Sequence, residues 1–178
     1  MLLRNVIAMI VLLPLMVLLA CCAGEETKRE KTIPDKDIKE SLVEANKKVV
    51  KTEEQHIKNL IARYGWEMEQ AGTGLRYMIY EEGNGPSIVT GDIVEAAYEV
   101  RLITGDRGYS SEEQGNLVFK VGKGEVISGL EQGILLLRVG DKAKFVIPSH
   151  LAYGLLGDDE KIPTKATLIY DIQVIRKK

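Results

Sequence analysis

Residues 121–154 read VGKGEVISGLEQGILLLRVGDKAKFVIPSHLAYG, and this stretch decides the fold. Ser128-Gly129-Leu130-Glu131 has the form of a capping box, with Ser128 as N-cap and Glu131 reaching back. Leu130, Ile134 and Leu137 then share one face of a short helix, which Gly140 is placed to end in a left-handed conformation. Directly afterwards the period drops from 3.6 to 2, with Ala143, Phe145 and Ile147 facing inward on a strand.

Working outward, the same alternation recurs on both sides. Leu75, Tyr77 and Ile79 form one face of an early strand, followed by a Gly- and Pro-rich turn at 82–86. Val94, Ala96, Tyr98, Val100 and Leu102 share a face opposite Glu95, Glu99 and Arg101, the pattern of a half-buried antiparallel strand. Leu117, Phe119 and Val121 make a short strand, and Leu168, Tyr170, Ile172 and Val174 make the last. The expected class is α+β, a curved antiparallel β-sheet wrapped around one short helix.

Upstream, residues 35–64 are helical in character. Ile38, Leu42, Ala45, Val49, Ile57, Leu60, Ile61 and Tyr64 form one stripe at 3.6-residue spacing, the mark of a packing face. Thr52-x-x-Gln55 fits a second capping box, so either one long helix or two nearly continuous ones end at Gly65.

The chain begins in different material. Arg4 precedes an apolar run of 15 residues, Val6 to Ala20, interrupted by Pro14. That run is short for a bilayer span of ~20 residues and reads as a secretory signal peptide. Residues 21–34 are polar and suit a tether. The expected organisation is therefore a signal peptide over 1–20, a tether over 21–34 and a helical segment over 35–64. Linking strands follow over 65–90, and the principal domain over 91–178.

Composition excludes several functions. Formal net charge is -2 over 178 residues and the pI is near 5.8, which disfavours a nucleic-acid binder that neutralises phosphates. Cys21 and Cys22 are the two cysteines of the chain, so the folded region has no disulfide and no Cys-based zinc site.

The stretch PSHLAYGLLGDDEKIP, 148–163, offers two chemistries. Ser149 and His150 are adjacent, yet neighbouring side chains near a strand end diverge, which disfavours a nucleophile–base pair. Asp158-Asp159-Glu160 lacks the alternating ligand spacing of a calcium loop and reads as a solvated charge run. Between them, LAYGLLG is apolar and glycine-jointed. Tyr98, Tyr109, Tyr153 and Tyr170 come from four separate segments, and their apolar bodies and polar tips suit a pocket that grips a ring.

The residues 121–154 quoted above, Ile162-Pro163 and ATLIYDIQVI at 166–175 resemble the FKBP-type peptidyl-prolyl isomerases, over about Gly91 to Ile175. The resemblance implies a prolyl-ring pocket between the sheet and the helix. Tyr153 and Tyr98 would be the catalytic pair, Tyr153 as hydroxyl donor and Tyr98 as wall. Tyr109, Leu117, Val126, Ile127, Leu130, Ile162 and Tyr170 would bind substrate. Val126 and Ile127 would frame the entrance, Leu130 would form the floor where many members carry tryptophan, and Ile162 would cover the mouth. No metal or other cofactor is implied.

One departure stands out. Many members place an aromatic residue and then an aspartate after the second strand's turn; ungapped, those positions are Gly108 and Tyr109, and shifted by one they are Tyr109 and Ser110. Neither frame supplies the acid. A working isomerase and a non-catalytic proline-peptide-binding or chaperone module both fit.

Leu18-Leu19-Ala20-Cys21 resembles the lipobox of bacterial lipoproteins, which implies lipidation of Cys21 and an anchored protein of the bacterial cell envelope facing the periplasm. Together with YSSEEQG at 109–115 and the 148–163 stretch, the pattern resembles the gliding-motility-associated isomerase-like lipoproteins. Expected partners are proline-containing polypeptides and the membrane, with no nucleic acid, and self-association through the N-terminal helix.

Overall fold

A computed structural model describes residues 35–178. The leader, the tether and Cys21 lie outside the described residues. Val43–Lys178 form one compact unit, and the architecture below is that of this unit with the upstream start of its first helix.

Helix α1 (Asp35–Tyr64) is continuous. Thr52 starts no new helix: its hydroxyl donates back to the Lys48 carbonyl at 2.9 Å, the ordinary use of a mid-helix threonine. Gly65, at φ +64°, ends α1 as expected.

The sheet has seven strands: β1 (Glu69–Gln70), β2 (Arg76–Glu81), β3 (Ile93–Leu102), β4 (Arg107–Ser110), β5 (Leu117–Lys120), β6 (Lys142–Ile147) and β7 (Leu168–Lys177). The order is β1-β2-β6-β7-β3-β4, with β5 also on β3, and all pairings are antiparallel. Two short helices, α2 (Ser111–Gln114) and α3 (Ser128–Ile134), complete it. Strands β1 and β4 lack a sequence signal because β1 has only two residues and β4, Arg-Gly-Tyr-Ser, has no apolar alternation.

Side-chain alternation gives the sheet two packed faces. Ala143, Phe145 and Ile147 of β6 and Leu168, Tyr170, Ile172 and Val174 of β7 face α3 and the main core. From the same strands, Val146 and Ile169 join Ile57 and Leu60 of α1 in a second cluster. The stripe of α1 is thus a packing face at Ile57 and Leu60, whereas Val49 remains 37% exposed.

Helix α3 lies close against β6 because two glycines face it. A Cβ at Gly129 would fall 2.3 Å from Ile147 Cγ2, and one at Gly133 would fall 2.8 Å from Phe145 Cε2. Only a residue without a side chain permits that approach. The capping box does not form. Ile127 is the N-cap, and its carbonyl accepts the Leu130 and Glu131 N–H groups. Ser128 donates to the Leu151 carbonyl. Glu131 accepts the Gly122 and Gly124 N–H groups, which fixes the preceding turn. Gly140, at φ +98°, shapes the turn into β6 rather than ending α3, which stops at Ile134.

Candidate functional site

Eight of the nine residues singled out from the sequence line one cavity of about 290 Å³: Tyr98, Tyr109, Leu117, Val126, Ile127, Leu130, Tyr153 and Tyr170. The cavity sits where β3, β4, β5, β7 and the start of α3 converge under the 148–167 loop. Ile162 is the exception. It is 2% exposed and packs in the core beneath the loop, beside Gly108 and Val100, so it supports the cavity rather than covering its mouth.

A larger groove of about 540 Å³ runs between α1 and residues 163–167, with His56 as its one aromatic residue. Size alone therefore does not mark the site. The smaller cavity has convergent tyrosines over an apolar floor, the combination that grips and orients a ring.

The tyrosines are not equivalent. Tyr98 stacks near Tyr170, with ring centroids 6.3 Å apart and planes 23° apart, and donates to Gln114 Oε1 at 3.0 Å. Tyr109 donates to Asp158 Oδ2 at 2.5 Å, with Glu160 Oε2 at 3.3 Å, and Lys161 Nζ lies 5.2 Å above its ring. Neither the Tyr153 nor the Tyr170 hydroxyl makes a hydrogen bond to another described residue, which leaves both donors available to a ligand in the cavity.

Burial raises the pKa of Tyr98, Tyr153 and Tyr170, the last most strongly. For Tyr109 the hydrogen bond to Asp158 is the main cause of a large rise, with burial second. All four therefore remain protonated donors at neutral pH. Burial alone would raise Asp158, but the Tyr109 hydroxyl and the N–H groups of Ile162, Glu160 and Lys161 outweigh it and hold its pKa below the ordinary value.

The structure settles which frame holds the pocket aromatic. Glu99 pairs with Ser110 and Arg101 with Arg107, so Gly108 and Tyr109 together oppose Val100. This bulge adds one residue to β4 and re-aims the next side chain. Gly108 packs against Ile162 and Val100, while Tyr109 enters the cavity. The one-residue shift is the bulge itself, and Ser110 is a buried polar residue with no carboxylate.

Acids reach the site by another route. Glu125 and Glu160 line the cavity together with Gln114, and Asp158 stands behind Tyr109. Sequence reasoning missed all four. Asp158 and Glu160 belong to the run read as solvated; Asp159 and Glu160 are exposed as expected, but Asp158 folds back, its Oδ1 accepting the Ile162 N–H at 2.7 Å and the Glu160 N–H at 3.0 Å. From the Pro148–Pro163 stretch, Tyr153 and Glu160 line the cavity, whereas Leu155 and Leu156 are exposed. His150 is exposed, with Nε2 3.1 Å from the Thr73 carbonyl, and takes no part in the cavity. Among the described residues no group of three His, Cys, Asp or Glu side chains is arranged to hold a metal ion.

The geometry has counterparts. The family model for FKBP-type peptidyl-prolyl cis-trans isomerases matches residues 85–175. FK506-binding protein 2 of Dictyostelium discoideum is 41% identical over 87 residues, covering 48% of this chain and 65% of that protein. The probable FKBP-type peptidyl-prolyl cis-trans isomerase FkpA of Neisseria meningitidis is 38% identical over 110 residues, covering 61% of this chain and 40% of that protein. The chain thus spans less than two thirds of either relative. The crystal structure of FkpA from Escherichia coli superposes with a TM-score of 0.63 at 27% identity, over 83% of this chain and 74% of that one.

Proposed function

The chain belongs to the FKBP-type peptidyl-prolyl cis-trans isomerase family, and on that footing we propose that it catalyses cis–trans isomerisation of X–Pro bonds in polypeptides. The observation that carries this reading is the single cavity in which four tyrosines from separate segments meet over Leu130.

The reaction needs no nucleophile and no proton transfer. Its barrier is amide resonance, ~18–20 kcal/mol. The twisted amide is less polar about its C–N bond than the planar one, so an apolar enclosure around the prolyl ring favours the twisted state. A donor aimed at the rotated carbonyl adds to that preference, because it acts only in the transition state. Tyr153 is the donor we assign to this role; the Tyr170 hydroxyl is also without a partner among the described residues. Tyr98 and Tyr170 supply the stacked wall, Leu130 the floor, and Val126 with Ile127 the entrance. A protease-coupled proline-peptide assay tests the reading: acceleration supports it, and none at any enzyme concentration refutes it.

The second reading is a non-catalytic module that binds proline peptides in the same cavity. The absence of an aspartate at Gly108, Tyr109 and Ser110 favours it; the retained apolar residues Leu117, Val126, Ile127 and Leu130 favour catalysis. Peptide binding without acceleration would distinguish them.

The proposed setting is the bacterial cell envelope, with Cys21 lipidated and the domain facing the periplasm, acting on exported polypeptides, in the manner of gliding-type lipoproteins. The Leu18-Leu19-Ala20-Cys21 sequence supports this, and among the described residues no helix is long and apolar enough to cross a membrane. Two acyl chains hold far more firmly than one, at ~0.8 kcal/mol per buried methylene. Labelling with a fatty acid that survives Cys21→Ser would defeat this part. Self-association through α1 is proposed from Val43, Val49 and Val50, which remain exposed; a monomer at all concentrations in sedimentation would rule it out.

A further inference from the structure

The loop from Pro148 to Thr167 brings Tyr153 and Glu160 into the cavity and Asp158 to Tyr109. What fixes this loop lies outside it. The β6–β7 ladder ends at the pair Ile147–Leu168. Just beyond that last pair, the Glu53 carboxylate of α1 enters the neck of the loop. Its Oε1 accepts the Ser149 N–H at 2.6 Å and the Thr167 hydroxyl at 2.7 Å, and its Oε2 accepts the Ser149 hydroxyl at 3.0 Å. Ser149 is 8% exposed and Thr167 3%, so two buried hydroxyls and one amide share a single acceptor group. Loss of that group would leave them unsatisfied away from water.

From Ser149 the connection continues to the site. The Ser149 carbonyl accepts the N–H of Ala152 at 3.0 Å and of Gly154 at 2.8 Å, the residues on either side of Tyr153. The Gly154 carbonyl in turn accepts the Lys165 N–H at 2.8 Å, returning to the far side of the neck. Glu53, Ser149 and the two amides flanking Tyr153 thus form an unbroken hydrogen-bonded series. Glu53 itself is not part of the cavity lining.

We infer that Glu53 is a positioning residue for the isomerase site: through Ser149 and Thr167, α1 holds the neck of the loop and so sets the Tyr153 hydroxyl. The kinetic arm of the test rests on the isomerase reading above. The N-terminal helix is then a part of the catalytic apparatus, and a load on the helix is felt at Tyr153.

Glu54 provides the comparator. One residue along the same helix, it pairs with the buried Arg76 at 2.5 Å and makes no contact with the loop. In the full-length chain, Glu53→Ala is expected to lower kcat/KM about tenfold, a change of the size set by losing one well-placed hydrogen bond. Glu54→Ala, measured at the same margin below its own melting temperature, should stay within about twofold of wild type. Glu53→Gln keeps one acceptor oxygen and should recover part of the loss, and Thr167→Val should reproduce part of it should Glu53→Ala fold poorly.

Coupling separates positioning from general loosening. If Glu53 acts through Tyr153, Tyr153→Phe costs little further in the Glu53→Ala background; independent effects multiply instead. Multiplying losses, or equal losses in Glu53→Ala and Glu54→Ala, overturn the inference. Should wild type lack isomerase activity, that reading fails and amide exchange decides the inference. Glu53→Ala should then speed exchange at Ala152 and Gly154 by about tenfold relative to the β3 amides, and uniform exchange across the fold would overturn it.

Discussion

The Tyr109 hydroxyl donates to the Asp158 carboxylate at 2.5 Å, across 49 residues of sequence. The pair joins β4 to the loop that carries Tyr153, so two sides of the cavity are tied together. Asp158→Ala removes the acceptor of Tyr109 and of the Ile162 and Glu160 N–H groups. Its expected cost is about 1–3 kcal/mol of stability. In a double-mutant cycle with Tyr109→Phe, the two losses should fall short of their sum; chemical denaturation of the four proteins measures this, and strict additivity would mean the pair is incidental.

The rate should be nearly independent of pH between roughly pH 5 and pH 9. Asp158 has a folded pKa below its ordinary 3.8, so its stabilising contribution is present above that value and is lost as pH falls through the folded one. Tyr109 has a folded pKa above its ordinary 10.0, so its contribution is full below pH 10.0 and is lost as pH rises through the folded value. Neither transition lies in the working range. A bell-shaped kcat/KM profile centred near neutrality would reveal acid or base catalysis, which this mechanism does not use.

Close packing of α3 makes a separate expectation. Gly129→Ala would place a Cβ 2.3 Å from Ile147 Cγ2 and 3.1 Å from the Leu151 carbonyl, and the helix would have to lift from β6. Overpacking of this kind costs about 1–3 kcal/mol. Because α3 supplies Leu130 to the floor, ligand binding should weaken along with stability, as calorimetry on the variant would show.

Truncation to Gly74 tests how far α1 belongs to the domain. The period change after Gly65 predicts that the sheet and its helix fold alone. The second cluster shows what that fragment would leave bare: Val146 and Ile169 lose Ile57 and Leu60, and Arg76, 5% exposed, loses Glu54. A fragment starting at Gly74 is expected to melt at a lower temperature than a chain starting at Val43; equal melting temperatures would make α1 an appendage.

Most of the fold was legible because its long elements have a period. Strand β3 buries Val94, Ala96, Val100 and Leu102 on one face, and that alternation is written in the residues. Six of the eight pocket residues lie on such an element or beside α3, whereas Tyr109 and Tyr153, on β4 and the 148–167 loop, were legible as tyrosines with apolar bodies and polar tips. Asp158 and Glu160 were not, because a charge run looks solvated until a hydroxyl 49 residues away is placed against it. The role of Glu53 was hidden for the same reason: its partners Ser149 and Thr167 lie 96 and 114 residues on. The capping box at Ser128 misled because Glu131 has a better use, at the Gly122 and Gly124 amides. Local pattern identifies candidates; long-range hydrogen bonds decide among them.

The measurement that bears most directly on the account is isomerase activity of wild type, Tyr153→Phe and His150→Ala on one proline peptide, without metal. Enclosure with a free hydroxyl predicts clear acceleration by wild type. Tyr153→Phe should lose about ten- to thirtyfold, the equivalent of ~1–2 kcal/mol, and His150→Ala should stay close to wild type because its ring meets only the Thr73 carbonyl. A neutral Tyr153→Phe beside a large loss in His150→Ala would contradict the account and point to proton transfer instead.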